Sequence, residues 1–244
     1  MSILDLIQSK QHTDDRFFGV VTGVVTNNQD PDNLCRVKVK IPRISSDNES
    51  TWARVTTFMG GKDRGAVFIP EVDDEVLIAF ECGDVSRPFV IGSLFNGSDL
   101  PPQNNSEGTN SLRVLKSRSG HIITLDDTDG AEKISIVDKT GKNSITIDSS
   151  AKAITIESDQ DITLKAPNGK VIVDAKDIQM KSSAATAIEA SSDVTVKAPQ
   201  GKTAIDAQDV QIKSSAATKI EATSEAEIKA SGSMKIKGAT IDLN

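Results

Sequence analysis

The residues of this sequence that could do chemistry are few and scattered. His12 and His121 are its only imidazoles and lie far apart, so each is expected to be structural. The acid pairs Asp14/Asp15 and Asp73/Asp74 could in principle serve as general acid and base. Nothing near them in the sequence would shift their pKa values or supply a nucleophile. The run Asp126-Asp127-Thr128-Asp129-Gly130 begins like a calcium loop but lacks the later ligands and the closing glutamate. A β-turn with Gly130 at positive φ fits it better. Asn168-Gly169-Lys170 and Gln200-Gly201-Lys202 lack the leading glycine and the Ser/Thr of a phosphate loop. They are expected to be corners between strands. Cys35 and Cys82 fit no metal spacing and are expected to be buried free thiols. Asp84 and Arg87 are expected to clip a hairpin. On this basis no catalytic, cofactor-binding or metal-ligating residue is assigned, and no enzymatic activity is expected.

The elements that carry these residues divide into two kinds. All 8 aromatic residues, Trp52 and seven Phe, lie at or before Phe95, as do both cysteines, and Tyr is absent. The last arginine is Arg118. The first part has the mixed core of a globular domain, and the second has the composition of a solenoid whose interior is too narrow for a ring. A net charge of −7 without a basic cluster argues against a nucleic-acid surface. The opening MSILDLIQSK lacks the charge and apolar stretch of a secretory signal, and no run approaches the length of a membrane span. Synthesis in the cytoplasm is expected.

The second part repeats itself. Residues 161–192 and 193–224 are identical at 21 of 32 paired positions. Inside the repeat runs a shorter beat of aliphatic pairs flanking one residue: Ile145/Ile147, Ile154/Ile156, Ile162/Leu164, Val171/Val173 and Ile178/Met180. It continues through Val194/Val196, Val210/Ile212, Met234/Ile236 and Ile241/Leu243, with weaker pairs led by Thr or Ala in between. An i, i+2 pair places both side chains on one face of a strand, and Ile, Val and Thr favour that state. Helix is a poor alternative because the apolar positions never recur at i, i+3, i+4 and Gly or Pro interrupts.

A strand with two inward aliphatics cannot bury itself and must stack on neighbours. With a turn about every eight residues, one chain cannot close the core, whereas three chains winding together can. Thirteen such rungs at about 4.8 Å give a needle roughly 60 Å long. Lys and Asp/Glu alternate on the outward positions, a solvated face that also discourages edge-to-edge sticking.

Residues 17–95 read as about five short strands, with clear alternation in Arg36-Val37-Lys38-Val39-Lys40-Ile41 and a continuous apolar strand from Val76 to Phe80. Such a pattern suggests a small closed barrel. DPDNLCRVKVKIPR, ESTWARVTTFMGG and RGAVFIPEVDDEVLIAFECGDVSRPFVIGSLFNG resemble, in order, the OB-fold domain of the phage baseplate assembly protein V and VgrG-type spike family. SRSGHIITLDDTDGAEKISIVDKTG, residues 117–141, resembles the junction that leads in that family from barrel to β-helix. Two departures stand out. Cys35 replaces a frequent glycine, and Asp73-Asp74 replaces Gly-Asp, so local turns are expected to differ.

The resemblance implies an all-β chain in which an N-terminal OB-fold barrel precedes an intertwined trimeric β-helix needle. The expected division is an N-terminal arm (1–16), a barrel (17–97), a linker (98–120), a neck (121–144) and a spike (145–244). The implied role is the central spike of a contractile injection machine, set in the baseplate of a phage tail or injection particle, which docks on a separate hub protein and pierces a target envelope. A PAAR-type tip protein is expected on Ile241, Asp242, Leu243 and Asn244. Related spikes are thought to hold iron near the needle's end through histidines, and this chain has no His after His121. A receptor-binding fibre or adhesin would call for exposed aromatics or a distal knob, and a glycan-cleaving tailspike for paired carboxylates among rings. The needle sequence offers neither.

Overall fold

The computed structural model describes residues 16–242. Among these residues the chain is built from strands and turns, with one three-residue 3-10 turn, Glu81–Gly83. Contact density divides it into two units, 1–171 and 172–244.

The first unit opens with a barrel. Its strands are β1 (Val20–Asn27), β2 (Lys38–Lys40), β3 (Arg54–Val55), a small hairpin of β4 (Gly60–Gly61) and β5 (Arg64–Gly65), β6 (Glu75–Phe80) and β7 (Pro88–Ser93). The sheet order is β2-β1-β6-β7-β3, antiparallel except for the parallel β3/β7 pair. Closure comes from Val37 and Ala53, whose N–H groups donate to each other's carbonyls at 3.0 and 2.7 Å. The residue before β2 is thereby joined to the residue before β3, and the sheet has no free edge there.

Alternation selects the core. Val21 and Val25 of β1, Val37, Val39 and Ile41 around β2, and Val76, Ile78 and Phe80 of β6 point inward and are buried with Ala53 and Val90. Leu77 and Ala79, which a continuous apolar run would also have placed inside, are only half-buried, so β6 uses one face. Gly23 makes the crossing of β1 and β6 possible. A Cβ there would lie 2.5 Å from Ile78 Cδ1 and 2.9 Å from the Lys40 carbonyl oxygen.

A second sheet follows in the same unit: β8 (Leu112–Lys116), β9 (Ile122–Asp126), β10 (Lys133–Val137), β11 (Ser144–Asp148) and β12 (Ala153–Glu157). The five strands form an antiparallel meander in sequence order. Each hairpin from β9 onward begins at an aspartate that accepts hydrogen bonds from the turn. Asp126 accepts from Thr128 N and Oγ1, Asp138 from Thr140 and from Asn143 Nδ2, and Asp148 from Ser150 Oγ and Ala151 N. Gly130, Gly141 and Lys152 supply the positive φ these turns need.

This meander crosses the boundaries expected from the sequence. β8 falls within the expected linker, and β11 and β12 fall within the expected spike. Ile145, Ile147, Ile154 and Ile156 therefore lie in an antiparallel sheet within one chain. The aliphatic-pair beat runs unchanged through both regions, and the aspartate-led turns separate them.

Beyond Glu157 the described residues enter no strand, and from Asp159 to Asp242 every one is exposed. Local structure nevertheless repeats with the sequence. Gly169 N donates to Ala166 O and Gly201 N to Ala198 O, while Ser182 Oγ donates to Ala185 O and Ser214 Oγ to Ala217 O. Each of these bonds recurs 32 residues later, the period of the repeat.

Candidate functional site

The polar residues singled out above are engaged in structure. His121 accepts from Lys139 N at its Nδ1 (3.2 Å), and its own N–H donates to Ser117 Oγ, which fastens the β8/β9 turn to the β10/β11 turn. Arg87 pairs first with Glu81 (3.0 Å) and more distantly with Asp84 (3.8 Å). Asp84 accepts from Ser86 N and Oγ, and these bonds hold its carboxyl below the usual range. The hairpin clip therefore exists but has three members. Asp74 accepts from Glu71 N, and Asp73 N donates to Val25 O, so both serve the turn before β6. His12, Asp14 and Asp15 lie outside the described residues. No group of three or more His, Cys, Asp or Glu side chains among the described residues could hold a metal ion.

Both cysteines are free, but they are exposed rather than buried. The reason is backbone geometry: Cys35 has φ 55° and Cys82 φ 50°, so each occupies a left-handed turn position at the barrel surface. Asp73 likewise has φ 76°. Cys35 and Asp73 thus occupy backbone positions of the kind that favour glycine.

Sequence reasoning overlooked one cluster. Asp30 accepts from Asp32 N, Leu34 N and Arg36 N, and receives Arg36 Nε at 2.8 Å and Nη2 at 2.7 Å. Its side chain is 2% exposed. The paired guanidinium, followed by the turn N–H groups, holds the Asp30 carboxyl far below the usual carboxylate range and raises Arg36. Asp32 also binds Arg36, which lies 5.9 Å from the centre of the Trp52 ring. The signal in the sequence was D-P-D-N, an Asx-turn pattern followed by an arginine. The cluster is internally satisfied and orders the β1/β2 loop.

What remains unsatisfied is apolar. On one face of the meander, strand register aligns two rows. Leu115, Ile123, Ile136, Ile145 and Ile156 face across β8 to β12 in one, and Arg113, Leu125, Ile134, Ile147 and Ile154 in the other. The nine aliphatics are 41–71% exposed. The opposite face carries Thr124, Ser135, Thr146 and Thr155 in one row, and Asp126, Lys133 and Asp148 in another. That face is mixed, since Leu112, Val114, Ile122, Val137 and Ala153 share it, whereas the first is aliphatic apart from Arg113 and, exposed to this extent, is built to be covered.

The aliphatic pairs farther on are barer still. Ile162, Leu164, Val171, Val173, Ile178 and Met180 are 55–80% exposed, and Val194, Val196, Val210, Ile212, Met234 and Ile236 are 47–73% exposed. Of the residues expected to dock a tip protein, Ile241 is 49% exposed and Asp242 is exposed. Leu243 and Asn244 lie outside the described residues.

Comparison with known proteins bears on this architecture. Residues 21–95 match the family described as the type VI secretion system/phage-baseplate injector OB domain. The chain is 31% identical over 99 residues to the type VI secretion system spike protein VgrG1c of Pseudomonas aeruginosa, covering 38% of this chain and 14% of that protein. It is 34% identical over 137 residues to the spike protein VgrG5 of the same species, covering 51% of this chain and 17% of that one. It is 28% identical over 142 residues to the actin cross-linking toxin VgrG1 of Vibrio cholerae, covering 57% and 12%. The matched parts thus span less than a fifth of these relatives' length. The barrel over residues 21–95 is an OB domain of the type VI secretion and phage-baseplate injector family, in an all-β chain similar to VgrG-type spike proteins.

Proposed function

We propose that three copies of this chain form the central spike of a contractile injection machine. The observation that carries this reading is the apolar face of the meander, continued by aliphatic pairs that one chain leaves in water over some eighty residues. Burying each such side chain stabilises by about 1.5–3 kcal/mol. A single chain forgoes that stabilisation, and the backbone N–H and C=O groups of the same stretch also need partners. Three copies related by an axis along the sheets place the nine aliphatics of each face against the other two and turn the later pairs inward. The similarity to VgrG spike proteins supports this arrangement.

The role is mechanical rather than catalytic. Sheath contraction supplies work, the OB barrel couples the spike to a hub protein, and interchain hydrogen bonds make the distal part stiff enough to concentrate force on an envelope. A PAAR-type tip protein covers the end near Ile241. Purified contractile particles from the native strain, labelled with an antibody to this chain, test the role. Label at the baseplate end, on the particle axis, is expected, whereas label on lateral fibres would favour a receptor-binding fibre. Deleting the last eight residues is expected to abolish binding of a PAAR protein encoded nearby, and unchanged binding would remove the tip from this account.

A further inference from the structure

Two steps of the chain set an asparagine before a glycine, Asn96-Gly97 and Asn168-Gly169. Such a step can attack itself, because a glycine without Cβ leaves its backbone nitrogen open to the side-chain amide carbon of the residue before it. The structure treats the two steps differently. Asn96 is half-buried and clamped: its Oδ1 accepts from Ser98 N at 2.8 Å and Asp99 N at 2.7 Å, and its Nδ2 donates to Glu75 at 3.0 Å and Asp99 at 3.1 Å. Asn168 is exposed, and its side chain makes no hydrogen bond among the described residues. A Cβ added at Gly169 would meet nothing within 4 Å. The constraint on this corner is one turn bond, from Gly169 N to Ala166 O at 3.1 Å.

We propose that Asn168 is a self-modification site, at which the chain converts its own amide to a mixture of aspartate and isoaspartate with water as the co-reactant. Gly169 N loses its proton and attacks Asn168 Cγ. The new N–Cγ bond closes a succinimide ring, the Cγ–Nδ2 bond breaks, and Nδ2 leaves as ammonia with the proton. Water then opens the ring at either carbonyl. Opening at Cγ restores the ordinary main chain and leaves an aspartate. Opening at the main-chain carbonyl routes the backbone through Cβ and Cγ, which lengthens it by one carbon and frees an α-carboxylate. The corner lies between the pairs Ile162/Leu164 and Val171/Val173. Each event adds a negative charge there, and isoaspartate also moves one pair away from the other. The modification is thus an age mark on the repeat, and it does not depend on the trimeric reading.

The repeat supplies a comparison at the same kind of corner. One repeat later, Gln200-Gly201 occupies the equivalent turn, with Gly201 N donating to Ala198 O at 3.3 Å. Gln200 is as exposed as Asn168, but its extra methylene would demand a larger ring, which closes far more slowly. Two corners therefore share a turn and differ by one methylene. Two Asn-Gly steps share a sequence and differ by the clamp on the asparagine side chain. Asn96 must release its hydrogen bonds before Cγ can turn to Gly97 N, so reaction there is expected to be at least about tenfold slower than at Asn168.

The purified full chain, held warm in mildly alkaline buffer, sampled over weeks and digested with trypsin, reads the reaction in two ways. One is the mass gained when an amide NH2 becomes a hydroxyl. The other is methyl transfer by an isoaspartyl methyltransferase, which labels isoaspartate and not aspartate. Both signals are expected in the peptide that carries Asn168 and should grow faster as pH rises. The mass gain of the Asn96 peptide is expected to lag by the factor given above, and the Gln200 peptide to keep its mass. In guanidinium chloride, which releases the clamp, Asn96 is expected to catch up. Asn168→Gln installs the residue that position 200 already carries in the same turn, and is expected to fold and to lose both signals at that corner. An Asn168 peptide that keeps its mass overturns the proposal, as does a native-state rate at Asn96 equal to or above that at Asn168. A gap that persists in guanidinium chloride overturns it too, since the fold would then not be what selects Asn168.

Discussion

At the scale of single residues, backbone conformation explains what side-chain chemistry does not. Cys35 sits at φ 55° although an L side chain there costs roughly 1–2 kcal/mol, partly offset by the extra chain entropy glycine loses on folding. Cys35→Gly is therefore expected to stabilise the barrel by up to about 1 kcal/mol, seen as a higher denaturant midpoint. Asp tolerates the left-handed region better, so Asp73→Gly should gain less. The reverse experiment is at Gly23, where an added Cβ meets the Lys40 carbonyl, which cannot swing away. Gly23→Ala is expected to cost about 1–3 kcal/mol in the same measurement, as overpacked sites do. The cysteines also show how far composition reaches. Free thiols were legible from spacing, but their exposure was not, because it follows from turn φ values.

Elements carry the next set of consequences. The hairpins of the meander hang on Asp126, Asp138 and Asp148. Hydrogen bonds from Thr128, from Thr140 and Asn143, and from Ala151 and Ser150 respectively hold these carboxyls below their ordinary value of 3.8. Asp30 in the barrel is depressed in the same way by Arg36. A carboxyl whose folded pKa lies below its unfolded one stabilises the fold fully above the unfolded value and loses that contribution as pH falls through the folded one. Stability is therefore expected to be flat from neutral pH to about pH 5 and to fall steeply below about pH 4. Asp138→Asn should flatten that fall. Thermal melts across this range check both.

In the proposed trimer, Ile136→Asp would take one aliphatic per copy from the face between copies, about 1.5–3 kcal/mol each if fully covered there, and put a charge in its place. It should shift the chain toward monomer in sedimentation. The period-two pattern of Ile134/Ile136 and its neighbours was plain in the sequence. Where antiparallel pairing stops was not, since the beat of aliphatic pairs is the same on both sides of Glu157. Turn chemistry does differ, since the hairpins up to Asp148 begin at aspartates that accept hydrogen bonds from the turn.

For the whole molecule, the division into an aromatic-containing barrel and a ring-free repeat was readable because no Phe or Trp follows Phe95. The strand order of the barrel and its closure through Val37 and Ala53 were not readable, since they depend on pairings distant in sequence. The aliphatic pairs of the repeat are exposed in one chain, and the proposed trimer is what would cover them. The measurement that tests this most directly is the mass of the full chain in solution by sedimentation equilibrium at neutral pH. Three times the 26.0 kDa of one chain is the result predicted here, and a stable species at 26.0 kDa would contradict the account.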